Sequence, residues 1–182
     1  MADSTQRVER TIQLRRADTG DARLLAQLGA RLFEQAFGSA NTPEDMRMYL
    51  EGAFSVAIQT EELGDTERMT WIAEDAGKAA VGYVMLRRGT RSDGVVGGST
   101  AEIQRVYVDQ AWHGQHVGEA LINACVEQAR AWHCDVLWLA VWDRNARAIR
   151  FYEKMGFRAV GSQTFTLGSD VQQDIVMSRA PS

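Results

Sequence analysis

Two stretches of this chain hold residue types whose spacing suits chemistry. Residues 112–121 read WHGQHVGEAL and follow the strand-like AEIQRVYV; residues 145–157 read NARAIRFYEKMGF. In the first stretch Gly114 and Gly118 let the backbone come close to a ligand where a loop enters an amphipathic helix. A helix start exposes unpaired N–H groups and a partial positive charge, which suits a pyrophosphate. In the second stretch Asn145 opens a short helix, Gly156 closes it, and Tyr152 offers a phenol between them. A phosphate-binding helix start facing a helix that offers a phenol points to a coenzyme A site, and so to acyl transfer.

The elements that must position these groups follow from periodicity. Ile12 and Leu14 alternate with polar neighbours, as in a short strand. Asp18 or Thr19 caps a helix running to about Phe37, whose apolar face carries Leu24, Leu25, Leu28, Leu32 and Phe33. Thr42-Pro43 starts a second helix with the stripe Met46, Tyr49, Leu50, Ala53 and Phe54, which can continue to Leu63. Residues 69–74 and 80–87 read as strands, and residues 89–98 as a glycine-rich loop. In the strand 101–108 a period of two puts Glu102, Gln104, Val106 and Val108 on one face. Residues 114–132 form a helix. VLWLAVW, residues 136–142, is a strand covered on both faces. A closing hairpin turns at Gly168-Ser169-Asp170. The order β-α-α-β-β-β-α-β-α-β-β implies a mixed α/β sheet with helices packed on it.

Composition bounds the rest. The 182 residues are 45% hydrophobic and 24% charged, with a net charge of −4. This is one ordinary domain, residues 11–182, after a polar tail, residues 1–10. The acidic balance disfavours nucleic acid and suits a cationic substrate. No apolar run has transmembrane length and the start has no signal-peptide core, so no membrane partner and a cytoplasmic location are expected. Cys125 and Cys134 read as small buried thiols. His113 and His116 stand three apart with no third or fourth ligand nearby, so no metal site is expected.

With these motifs the chain resembles the GNAT superfamily of acyl-CoA-dependent N-acetyltransferases. The family signature, Arg/Gln-x-x-Gly-x-Gly/Ala, falls on His113, His116 and Gly118, so histidines replace two of its three positions. AEIQRVYV, the Asn145 helix and FYEKMGF carry the match, which runs over nearly the whole chain from about residue 12. LFEQAFGSANTPEDMRMYLEGAF, LWLAVWDRNARAIRFYEKMGF and LGSDVQQDIVM further resemble the bacterial PaiA-type spermidine/spermine acetyltransferases.

The resemblance implies a GNAT fold, a mostly antiparallel sheet splayed between strands 4 and 5 to admit the pantetheine arm of acetyl-CoA. It implies coenzyme contacts from Val106, Tyr107 and Val108 along the strand. The turn His113, Gly114, Gln115, His116, Val117, Gly118 and Glu119 holds the pyrophosphate, and Asn145 and Tyr152 also touch the coenzyme. Asn145 is equally a plain N-cap; the two roles are compatible. Tyr152 is the candidate general acid for the leaving thiolate, against a reading as a core aromatic. Glu102 is the candidate general base for an alkylammonium whose pKa lies near ~10.4, against a surface carboxylate or one that only binds the cation. The expected reaction is direct acetyl transfer in a ternary complex to a small-molecule amine, a polyamine first. The alternatives are another amine (a protein N-terminus, a lysine, an aminoglycoside) or a coenzyme-binding sensor without turnover. Among the carboxylates Glu34, Glu44, Asp45, Glu51, Asp170 and Asp174 in the acceptor-side regions, Glu34, Glu51 and Asp170 are selected as substrate-binding candidates. A homodimer is compatible with this reading.

Overall fold

The computed structural model describes residues 11–182; the expected tail, residues 1–10, lies outside them. The elements are β1 (Ile12–Arg16), α1 (Ala22–Phe37), α2 (Pro43–Ala53), α3 (Val56–Gly64), β2 (Arg68–Asp75), β3 (Ala80–Arg88), β4 (Thr100–Val108), α4 (Val117–Ala131), β5 (Val136–Trp142), α5 (Ala146–Lys154), β6 (Arg158–Leu167) and β7 (Asp170–Arg179). The strands make one seven-stranded sheet in the order β1-β2-β3-β4-β5-β7-β6. All neighbours are antiparallel except β4 and β5, which are parallel.

The helical half departs from expectation in two places. Asp18 caps a 3-10 turn, Thr19–Asp21, by accepting from Gly20 N at 2.8 Å, and the α-helix starts only at Ala22. The second helix does not run on to Leu63. Phe54 leaves it, and the Ser55 hydroxyl caps a separate α3 by accepting from Ile58 N at 3.3 Å.

Helix α4 covers one face of the sheet. Val117, Leu121, Ile122, Cys125, Val126 and Ala129 are all buried there. They pack with Leu137, Leu139 and Val141 of β5 in the main core. Burying each large aliphatic contributes roughly 1.5–3 kcal/mol. On the opposite face of β5, Trp138 packs with Val95 and Val176, so this strand is covered on both sides as its apolar run requires. Both cysteines are free thiols and buried. Among the described residues no helix is long and apolar enough to cross a membrane.

Strand β4 holds the main correction. Met85 of β3 pairs with Arg105 and Leu86 with Ile103, so Gln104 is an extra residue, a β-bulge. A bulge shifts side-chain alternation by one. Ala101 and Ile103 before it, and Val106 and Val108 after it, pack in the α4-side core. Tyr107 joins the clusters under α1 and α2, and Arg105 is ion-paired to Glu62 of α3. The unbroken period that grouped Glu102 with Val106 and Val108 therefore fails: Glu102 shares the helix α1–α3 face with Arg105 and Tyr107.

Candidate active site

β4 and β5 pair only over Thr100–Ile103 and Val136–Leu139. Beyond that point they continue unpaired to Val108 and Trp142, which opens the expected splay. The backbone groups inside it follow from register. Asp109 N donates to Val81 O at 2.8 Å, which makes Gly82/Val108 and Val84/Val106 non-hydrogen-bonded pairs. The amides and carbonyls of Val106 and Val108 thus point away from β3 into the gap, while those of Tyr107 pair with Tyr83. Likewise Asp143 N donates to Gln173 O at 3.0 Å, so Ala140 and Trp142 turn their backbone groups to the gap from the other side. One of these groups is engaged: Nε2 of His113 lies 3.0 Å from Val108 O. A carbonyl only accepts, so this nitrogen carries the proton. Burial and the charge of Arg147 hold the imidazole below its ordinary pKa.

The turn into α4 presents its amides unequally. His113 N and Gln115 N are used inside the turn, donating to Gln110 O and Trp112 O. No side chain caps the helix at His116, and the first-turn amides through Glu119 carry no hydrogen bond among the described residues. His116 sits in the left-handed region at φ 61° and its Nδ1 meets Glu119 Oε2 at 2.9 Å. Gly118 packs tightly: a Cβ there would meet Phe151 Cζ at 3.2 Å, so the ring would have to give by a few tenths of an ångström.

Helix α5 starts where Asn145 Oδ1 accepts from Ala148 N at 3.1 Å. This uses the carbonyl end of the side chain and leaves its NH2 for another partner. Tyr152 is buried, with its ring 5.3 Å from Phe151 and 5.9 Å from Phe157. Burial, then the neighbouring Cys125, pushes its phenol above the ordinary value near 10, so it stays protonated at neutral pH. Glu102, in the paired stretch just before the gap, is half-buried. Desolvation raises its pKa, opposed by Gln104 Nε2, which donates to its Oε2 at 3.3 Å, and by the charges of Arg87 and Arg68. One cavity of about 580 Å³ is lined by Glu102, Val106, Val108, Asn145 and Tyr152 together with His113, Gly114 and residues 116–119 of the α4 turn.

The model of the acetyltransferase (GNAT) family matches residues 30–157. This chain belongs to the GNAT acetyltransferase family. An N-acetyltransferase of Mycobacterium tuberculosis, itself uncharacterised, is 35% identical over 159 residues, covering 87% of this chain and 97% of the relative. A spermine/spermidine N(1)-acetyltransferase of Bacillus subtilis is 27% identical over 64 residues, 35% of this chain and 42% of that one. Among solved structures, PaiA N-acetyltransferase from Thermoplasma acidophilum in complex with coenzyme A superposes with a TM-score of 0.74 at 16% identity, over 93% of this chain and 99% of that one.

On this GNAT scaffold the same cavity is also walled by α1, α2 and the β6–β7 hairpin. Its wall is aromatic: Phe33 stacks on Tyr49 at 4.5 Å, Tyr49 meets Phe165 at 5.5 Å, and Phe37 meets Trp142 at 6.2 Å. The selected acceptor-side carboxylates lie elsewhere. Glu34 and Glu51 border a separate shallow depression, where Glu51 is paired to Arg47 at 3.0 Å. Asp170 is exposed and accepts from Gln172 Nε2 at 2.8 Å. Asp45 is a tether: its Oδ1 accepts from Ser169 N at 2.6 Å and from the Ser169 hydroxyl at 2.8 Å. That clasp requires Gly168, at φ 61°, because a Cβ there would sit 2.6 Å from the Asp45 Cα. The acceptor-side carboxylate that does line this cavity is Asp174, 8% exposed and raised to about 6, first by burial and then by Asp143. Alternation along β7 puts residues 172, 174 and 176 on the face opposite the α4-side Ile175 and Met177, but it puts Asp170 there too, so only the strand's register against its neighbours separates the two carboxylates. Among the described residues no group of three or more His, Cys, Asp or Glu could hold a metal ion.

Proposed function

We propose that this N-acetyltransferase moves an acetyl group from acetyl-CoA directly to a primary amine within a ternary complex, with a polyamine such as spermidine or spermine as the leading acceptor. The observation that carries the reading is the convergence of Glu102, Tyr152 and the gap-facing backbone of Val106 on one cavity. Acetyl-CoA would supply an activated thioester whose sulfur leaves as a thiolate. The residues fit such a group. The uncapped amides at the α4 start suit its pyrophosphate. Val106 and the Val108 N–H offer strand-like partners to an extended amide arm, and the Asn145 NH2 is a further donor.

Glu102 would take the proton that an alkylammonium must lose before it can attack. Its raised pKa makes it a stronger base than a solvated glutamate. Tyr152, kept protonated by burial, would give a proton or a hydrogen bond to the departing sulfur. The gap-facing Val106 N–H would stabilise charge developing on the reacting carbonyl oxygen. The partial likeness to the Bacillus subtilis spermine/spermidine enzyme supports the polyamine acceptor, as does the acidic net charge.

The test is thiol release from acetyl-CoA against spermidine, spermine, aminoglycosides and peptide amines. Preference for the polyamines supports the reading in full. Turnover without that preference removes the polyamine assignment and leaves an amine acetyltransferase. Tight acetyl-CoA binding with no transfer to any amine would sink the catalytic reading in favour of a sensor.

A further inference from the structure

Among the described residues Asp174 is a carboxylate without a counter-ion. It is 8% exposed, yet no hydrogen bond or ion pair reaches it from any described residue. Its cross-strand neighbours are Trp142 on β5 and Gln163 on β6. Tyr49 of α2 lines the same cavity, and the Asp174 charge acts to raise the pKa of its phenol. Keeping an ionised carboxylate in such a place costs stability unless a cation compensates it. A carboxylate among aromatic faces is what recognises an alkylammonium, through charge-assisted hydrogen bonds and cation–π contact.

Register shows that this is not where the reacting nitrogen meets its base. Glu102 aligns with Trp138 of β5 and Asp174 with Trp142, four residues further along, which is about 13 Å of strand. Both carboxylates lie on the same face of the sheet and line the same cavity. An amine beside Glu102 therefore leaves Asp174 unanswered.

We infer that Asp174, beside Trp142 and Tyr49, binds a second ammonium of the acceptor, so that the substrate is a chain bearing two cationic nitrogens rather than a monoamine. The inference rests on the amine-acetylation reading and narrows it. It assigns the acceptor's distal charge to one residue of the β6–β7 hairpin.

The experiment compares 1,4-diaminobutane and spermidine with butylamine on the full chain and on Asp174→Asn, by thiol release and by calorimetric titration of each amine in the presence of coenzyme A. Wild type should favour the diamines in kcat/KM by at least about tenfold, the scale of one hydrogen bond to a charged group. In Asp174→Asn that ratio should fall towards one. The ratio is taken within each variant, so a general loss of active protein does not mimic the result. Equal use of butylamine and diaminobutane by wild type overturns the inference, as does a diamine preference that survives the substitution. If no amine is acetylated, the catalytic reading falls, and the titration decides the subsite separately. Diamine binding weakened by Asp174→Asn upholds it; equal binding of diamine and monoamine to wild type rejects it.

Discussion

The imidazole of His113 reaches back five residues and hydrogen-bonds the carbonyl of Val108, at 3.0 Å. A side chain from the signature turn thus satisfies a backbone group that the splayed sheet leaves facing the gap. His113→Ala should lose one such bond, about 1 kcal/mol. In a chain of this size that lowers the melting temperature by about 2–4 °C. His113→Gln keeps a donor of similar reach and should recover part of the loss. Thermal melts of the three proteins check this; an alanine variant as stable as wild type would show the contact to be dispensable.

His116 carries the opposite prediction. A left-handed conformation costs an L side chain roughly 1–2 kcal/mol, and glycine avoids the cost. The contact to Glu119 that would be lost is exposed, and such pairs are worth about 0–1 kcal/mol. His116→Gly, which restores the family glycine, should therefore raise the melting temperature by a few degrees. Acetyl-CoA affinity should hold or improve, because the first-turn amides are unchanged. A lower melting temperature would mean that the Glu119 contact outweighs the backbone cost.

Tyr152→Phe removes the phenol and leaves the ring packing on Phe151 and Phe157. If Tyr152 acts on the leaving sulfur, kcat should fall about 10²-fold or more while acetyl-CoA binding changes little. Stopped-assay kcat together with calorimetric affinity separates the two effects. An unchanged kcat would return Tyr152 to the role of a core aromatic.

Glu102→Gln should cut activity most towards acid pH. There the unprotonated share of the alkylamine is smallest and removal of its proton by a base matters most, until Glu102 is itself protonated and the two proteins converge. The raised pKa of Glu102 also means that the wild-type base itself titrates out above the usual glutamate range as pH falls. A pH profile of kcat/KM for both proteins reads this out; a uniform loss across pH leaves Glu102 as a binding group.

Asp174 makes a stability prediction independent of turnover. Its folded pKa of about 6 lies above the ordinary carboxylate value, so the folded state binds this proton more tightly than the unfolded chain does. The stability it contributes is full below pH ~4 and is lost as pH rises through about 6. Asp174→Asn should therefore melt higher than wild type at pH 7–8, with the difference closing below pH ~4. Equal melting temperatures at pH 7.5 would indicate that the carboxylate is better solvated than its burial implies.

Much of this architecture was legible in the residues. The alternation of β1, the stripe of α1, the continuous apolar run of β5 and the Asn145–Gly156 helix all lie where periodicity and capping placed them. What escaped were features set by tertiary context. Gln104 has no local mark of a bulge; only its pairing with β3 reveals the extra residue. Ser55 is an ordinary N-cap, but the apolar residues after it continue a helical stripe and hide the break. Asp170 and Asp174 look alike in a hairpin sequence. Which of them enters the cavity depends on the register of β7 against β5 and β6, a property no single strand carries.

The extra residue at Gln104 also limits how this strand can change. Without it, Val106 and Val108 would trade sides of the sheet with Arg105 and Tyr107, and the buried partners of both helical layers would be exchanged at once. Ordinary drift by insertion or deletion is thus closed to β4. Its length is locked to the positions of the layers above and below it, and new acceptor preferences must come from the hairpin and the first helices.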